Sequence, residues 1–230
     1  DNAALLYERE EIDAFVVVAP KGVYRNWARL EIPGHMPDRV KYDLVVWTPS
    51  PTKKHKEELL EILKPSESLR IFIMNVEALS TPKCRRFLTT FLDHSRSLLT
   101  VDESTAIKSP KARRTKALIN LAPLAKYRRI LTGFPVTQSP MDLWAQCRFL
   151  DKTLLGDCGD NFFQFQYRYA IMKKRNVGSH SFNQIVGYRN LEQLSTMLKD
   201  FSSRVMKEEC LDLPAKIYTR RDVALTQDQS

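Results

Sequence analysis

"LLTVDESTAIKSPKARRTKAL", Leu98 to Leu118, runs a short apolar segment into two acids, Asp102 and Glu103, and then into a dense basic stretch. The apolar run is too short for a helix and reads as a strand, "SLLTVD", from Ser97 to Asp102. Ionised carboxylates are costly beside an apolar core unless something pairs with them. An adjacent pair at the end of a buried strand therefore asks for a partner, and Mg²⁺ is one whose chemistry fits.

Four other runs share this character: "AFVVVAP" (Ala14 to Pro20), "YDLVVW" (Tyr42 to Trp47), "LRIFIMN" (Leu69 to Asn75) and "RRILTG" (Arg128 to Gly133). Their near-continuous apolarity suits strands covered on both faces, as in a parallel sheet flanked by helices. The stretches between them are amphipathic: "TKKHKEELLEILK" from Thr52, "TPKCRRFLTTFLDHS" from Thr81 and "KARRTKALINLA" from Lys111. In the last, Ala112, Leu118 and Leu121 fall on roughly one face at helical spacing, with cations on the other. Pro82 and Pro110 sit near helix starts, where a missing amide donor costs little. The fold class is α/β, a mainly parallel sheet with helices on both faces.

With 230 residues and 43% hydrophobic content, the chain can bury a substantial core. The balance of 36 Lys and Arg against 27 Asp and Glu, a formal +9, favours polyanions such as nucleic acid as partners. Cys84, Cys147, Cys158 and Cys210 are widely spaced and near no histidine pair, which suggests neither a zinc site nor a disulfide framework. The histidines His35, His55, His94 and His180 show no ligand spacing. No apolar run reaches the length of a membrane span and no signal-peptide pattern opens the chain, so the expectation is a soluble, cytoplasmic protein without a membrane partner.

In open α/β sheets ligands bind beyond the carboxyl ends of the strands, where Asp102 and Glu103 stand. An Asp there can hold Mg²⁺ on the phosphates of a nucleotide such as ATP, while the adjacent Glu, facing the other way, can polarise an attacking water. The pair reads as a Walker B motif. A solvated strand terminus is the plain alternative for any isolated Asp-Glu.

Neighbouring residues bear on that choice. Ala19, Pro20 and Lys21 are followed by Asn26, Trp27 and Glu31; Asp102 and Glu103 by Ile107 and Lys108; and Leu131, Thr132, Gly133 and Pro135 by Asp142, Leu143 and Trp144. In this order they resemble motifs Ia, II and III of the Swi/Snf-type ATPases of helicase superfamily two. Near the end, Arg204, Lys207, Leu213, Pro214, Lys216 and Gln229 resemble the family's connector between motor lobes. The resemblance implies a RecA-like P-loop NTPase lobe over residues 1–203 and a connector over 204–230 leading to a second RecA-like lobe. It also implies ATP and Mg²⁺ as cofactors and double-stranded DNA as partner. Asp102 and Glu103 become the catalytic pair, with Asp102 on the metal and Thr132 and Gly133 also at the nucleotide.

The chain departs from the pattern at three places. Thr105 and Ser109 replace a usual histidine and a common asparagine in motif II, and Phe134 replaces threonine before the proline of motif III. With these departures the chain resembles the bacteriophage-type members. No Gly-x-x-x-x-Gly-Lys-Thr loop occurs among its seven glycines. The expectation is an internal piece of a longer motor, with the first strand and P-loop of its lobe missing.

For nucleic acid, the resemblance points to Lys21 and Arg25 beside motif Ia; Lys108, Lys111, Arg113 and Arg114 form a denser cluster near the acids. Each is equally readable as a solvated cation. "NFFQFQYRYAIMKKRNVGSH" interleaves aromatics with Arg168, Lys173, Lys174 and Arg175, a pattern able to stack on bases, although the resemblance implies a packed aromatic helix here. Trp27 and Trp144 read as structural anchors of the helices after motifs Ia and III. Two functions follow: an ATP-driven DNA motor, or a nucleic-acid-binding module that kept the fold and lost catalysis.

Overall fold

Five parallel strands, β1 (Ala14–Ala19), β2 (Tyr42–Val46), β3 (Leu69–Asn75), β4 (Ser97–Asp102) and β5 (Tyr127–Leu131), line up in the order β2-β3-β1-β4-β5 in the computed structural model. It describes residues 2–178, 180–210, 212 and 217–220; the connector positions Leu213, Pro214, Lys216 and Gln229 lie outside these. The strands fall where the apolar runs predict, with one shift. β5 spans Tyr127–Leu131, because its pairing with β4 ends where Asp102 meets Leu131, leaving Thr132 and Gly133 beyond the sheet.

β1 is buried along its whole length because it is central and both of its faces are covered. Its residues point alternately to two cores. Val16 and Val18 join Phe72, Met74, Leu99 and Val101 under the helices α4 (Lys53–Glu61), α5 (Pro82–Asp93) and α6 (Arg113–Leu121). Phe15 and Val17 join Ile71, Ile73 and Leu98 beneath α1 (Asn2–Glu8) and a helical run over residues 24–35. That run comprises α2 (Tyr24–Asn26), a π-helical turn (Trp27–Glu31) and α3 (Ile32–His35). The wide turn precedes Pro33, which has no amide to give the carbonyl one α-turn back.

The ends of the helices follow from their sequences. Thr52 and Thr81 cap α4 and α5 by accepting from the amides of His55 and Cys84, and Pro82 opens α5 as anticipated. α6 starts later than Pro110 suggests, at Arg113, so Ala112 stands at its N-cap and Ala117 joins Leu118 and Leu121 on the buried face.

A third apolar cluster lies beyond the sheet, formed by α7 (Leu143–Leu150), α8 (Phe162–Tyr169) and α9 (Leu191–Lys199). Trp144 anchors it, donating to the Cys158 carbonyl at 3.1 Å and meeting Phe162 edge-on. The aromatic stretch is helical only as far as Tyr169. It then forms an antiparallel ribbon, β6 (Ala170–Val177) with β7 (His180–Tyr188). A short α10 (Lys207–Cys210) follows α9. Among the described residues no helix is long and apolar enough to cross a membrane.

Candidate functional site

The strand order fixes where a ligand can sit. From the carboxyl end of β1 the chain leaves toward β2, and from that of β4 it leaves toward β5, on the opposite side. Adjacent strands whose connections diverge open a crevice between their carboxyl ends. β1 and β4 are such a pair, in register through Val18 and Val101. Pro20 and Lys21 emerge on one side of this crevice, Asp102 and Glu103 on the other.

The two sides are joined directly. Trp27, in the π-helical turn, donates its indole N–H to Asp102 Oδ2 at 2.8 Å, while Asp102 Oδ1 accepts the amide of Glu103 at 2.9 Å. Trp27 also packs edge-on against Phe15, so its anchoring role is real but incomplete. Glu103 adopts the left-handed region, φ +47°, which costs a non-glycine residue about 1 kcal/mol or more. This turn separates the next two side chains: Glu103 stands exposed, and Ser104 is fully buried. Asp102 is half-buried and held by two donors, whereas Glu103 is open to solvent. Asp102 keeps a carboxylate at the strand end, hard-oxygen chemistry that suits Mg²⁺.

A buried network holds the motif II turn to the motif III loop. Gln146 on α7, fully buried, accepts from the Ser104 hydroxyl at 2.6 Å and donates to the carbonyls of Pro135 (2.7 Å) and Asp142 (2.8 Å). Asp142 Oδ2 in turn accepts from the amides of Thr137 and Gln138 and the Thr137 hydroxyl, and Lys108 lies 3.5 Å away. Burial pushes the Asp142 carboxyl up, but these hydrogen bonds and the Lys108 charge outweigh it and hold the group below its ordinary range. Thr132 accepts the amide of Phe134, and Gly133 has open space where a Cβ would be. Sequence reading missed Gln146 and the contact of Trp27 with Asp102: Gln146 belongs to no local pattern, motif Ia names Trp27 without its partner, and the contacts cross 42 and 75 residues.

The predicted cations divide. Lys108 is occupied by Thr137 and Asp142, and Arg114 donates to the Ala106 carbonyl at 2.8 Å, which engages both in holding the loop after motif II. Lys21 and Lys111 are exposed; Arg25 leans on Tyr24, donating to its hydroxyl and lying over its ring. Arg113 has company that the sequence did not predict. α5 and α6 bring Arg85 and Arg86 opposite Arg113 and Lys116 along a groove of about 490 Å³ with no acid among its lining residues. Both helices follow parallel strands, so the groove begins at the same end of the sheet as Asp102. A cavity of about 440 Å³ on the other face has Trp27, Met36 and Leu131 in its wall.

Relatives share this arrangement of elements. The Sulfolobus solfataricus SWI2/SNF2 ATPase core domain superposes on 93% of the chain, using 38% of its own, with a TM-score of 0.57 at 21% identity. The same core in complex with dsDNA covers 73% of the chain and 30% of its own, with a TM-score of 0.52 at 21% identity; at such identities the likeness is one of fold. TATA-binding protein-associated factor 172 of Homo sapiens is 35% identical over 118 residues, 51% of this chain and 6% of that protein. The SWI/SNF-related matrix-associated actin-dependent regulator of chromatin subfamily A-like protein 1 homolog of Caenorhabditis elegans is 36% identical over 124 residues, 53% of this chain and 16% of that one. The chain therefore spans a small part of the length of these relatives, none of which is a bacteriophage protein. The model of the SNF2-related domain matches residues 3–230, and the chain belongs to that family, with a RecA-like fold.

Proposed function

We propose that this chain is the nucleotide-facing and DNA-facing part of the first motor lobe of an ATP-dependent double-stranded DNA translocase. Asp102 holds Mg²⁺ on the phosphates of ATP, and Glu103 polarises the attacking water, with Thr132 and Gly133 at the same end of the sheet. The observation that carries this reading is the meeting of motifs Ia and II across the β1/β4 crevice, where Trp27 aims the Asp102 carboxylate. Lys21, Arg25, Lys111 and Arg113 meet duplex phosphates, Arg113 as one of the four cations of the α5/α6 groove. Residues 204–230 lead to a second RecA-like lobe of the same protein, and the setting is intracellular.

A non-catalytic DNA-binding module is the competing reading, favoured by Thr105 within motif II and by Phe134, which is 74% exposed on the motif III loop. ATP turnover by the full-length protein carrying this lobe, measured with and without duplex DNA, decides between them. Duplex-stimulated hydrolysis is expected. DNA binding without any turnover would establish the module instead.

A further inference from the structure

The β6–β7 ribbon is not used by any part of the site described above. Its root is fixed: Ala170 is buried, Ile185 packs on the third apolar cluster, and Asn190 donates to the Arg168 carbonyl at 2.9 Å. Beyond the root it stands alone as a two-stranded sheet, with Ile171 through Asn176 on one strand and Ser181 through Gln184 on the other all exposed. Isolated ribbons are marginal in water, so an extended one needs a use.

Its charge is one-sided. From Asn161 to Leu191 the chain has no Asp or Glu and five Lys or Arg, more than half of the net +9. Arg168 and Arg189 are held at the root, the former by Gln193 and the latter by Tyr167. Lys173, Lys174 and Arg175 lie further out. Among the described residues no carboxylate pairs with any of the three, and the only recorded hydrogen bond among them runs from Arg175 Nε to Gln184 Oε1 at 3.1 Å. The register places Lys173 and Arg175 on one face with Gln184 and Phe182, the latter 51% exposed, while Lys174 lies on the other face opposite Asn183.

Cations on an open strand edge also guard against pairing with other chains. Guarding works with either sign of charge, however, and does not require an acid-free run. A surface of one sign selects a partner of the other. A duplex carries one negative charge per ~1.7 Å of axis, and its major groove, about 12 Å wide, admits a two-stranded ribbon. Two adjacent cations on one face plus one on the other suit such a groove, which has phosphates on both walls.

We infer that the β6–β7 ribbon is a second contact for duplex DNA, in which Lys173, Lys174 and Arg175 meet backbone phosphates. This rests on DNA being the partner of the lobe. The test is a salt titration of duplex binding by the 230-residue chain, comparing wild type with Lys173→Ala/Lys174→Ala/Arg175→Ala. The control is Lys53→Ala/Lys54→Ala/Lys56→Ala, three exposed cations on α4, which removes the same charge elsewhere. The ribbon variant should lose about 2 to 3 units of log–log salt slope, close to one per contact, and the α4 variant should lose none. Thermal melts should coincide, since all six side chains are exposed, and the charge-conserving Lys173→Arg/Lys174→Arg variant should keep the slope.

Equal slopes for wild type and ribbon variant, or equal losses in both alanine variants, would overturn the inference while leaving DNA as the partner of the lobe. Failure of the wild type to bind duplex would remove both readings. Ribbon-dependent binding of poly-glutamate in preference to duplex would reassign the surface to an acidic protein.

Discussion

Trp27 commits its one polar atom to Asp102, and Asp102 divides its two oxygens between that indole and the Glu103 amide. A carboxylate held this way is oriented before any ligand arrives. Trp27→Phe keeps an aromatic ring against Phe15 but removes the donor and part of the ring volume, so the expected loss is about 1 kcal/mol or more, read as a melting temperature at least roughly 2–4 °C lower. An unchanged melt would mean that water replaces the indole without cost. The sequence marks Asp102 and Glu103 because acids behind an apolar run are conspicuous. It gives no sign of Trp27 or Gln146 as their supports, because a tryptophan after a strand and a glutamine within a helix are ordinary residues until folding brings them to the site. Arg114 reads as a candidate phosphate contact in a basic run, and the structure adds a second task, its Nε donating to the Ala106 carbonyl.

At the level of elements, β1, β3 and β4 were the most legible because a central parallel strand must be apolar on both faces, which leaves a run that no amphipathic helix imitates. β5, at the edge, is less buried, and its end was misplaced by two residues. The β6–β7 ribbon was not legible. It is solvated on both faces beyond its root, so neither an apolar run nor a clean alternation marks it, and its aromatic start continues the pattern of α8. The amino ends of β1, β3 and β4 are tied by a buried charge: Arg70, 3% exposed, donates to Asp13 Oδ1 at 2.7 Å and to the His94 carbonyl, while Asp13 also accepts the Arg96 amide. Asp13→Ala would leave the guanidinium buried and without its counter-charge. The expected cost is about 3 kcal/mol, measurable by urea denaturation. A loss below about 1 kcal/mol would show that water takes over the pairing.

Across the whole molecule, the fold and the site have one cause. From β1 the chain crosses to the edge strand β2, returns through β3 and then passes to β4 and β5 on the other side; this reversal opens the β1/β4 crevice where motifs Ia and II converge, with the motif III loop bound to motif II through Gln146. Order and spacing of the motifs made their meeting at one end of the sheet readable from the sequence, whereas the Gln146 link and the α5/α6 groove required folding to bring distant segments side by side. The proposed function assigns Asp102 and Glu103 separate tasks at one nucleotide. The direct measurement is Mg²⁺-ATP affinity together with DNA-stimulated turnover in the full-length protein, for wild type, Asp102→Asn and Glu103→Gln. Glu103→Gln should retain wild-type affinity and lose turnover by about a hundredfold or more, since the group proposed to polarise water is gone, whereas Asp102→Asn should weaken Mg²⁺-dependent binding itself. Near-normal turnover in Glu103→Gln would remove Glu103 from the water-polarising role.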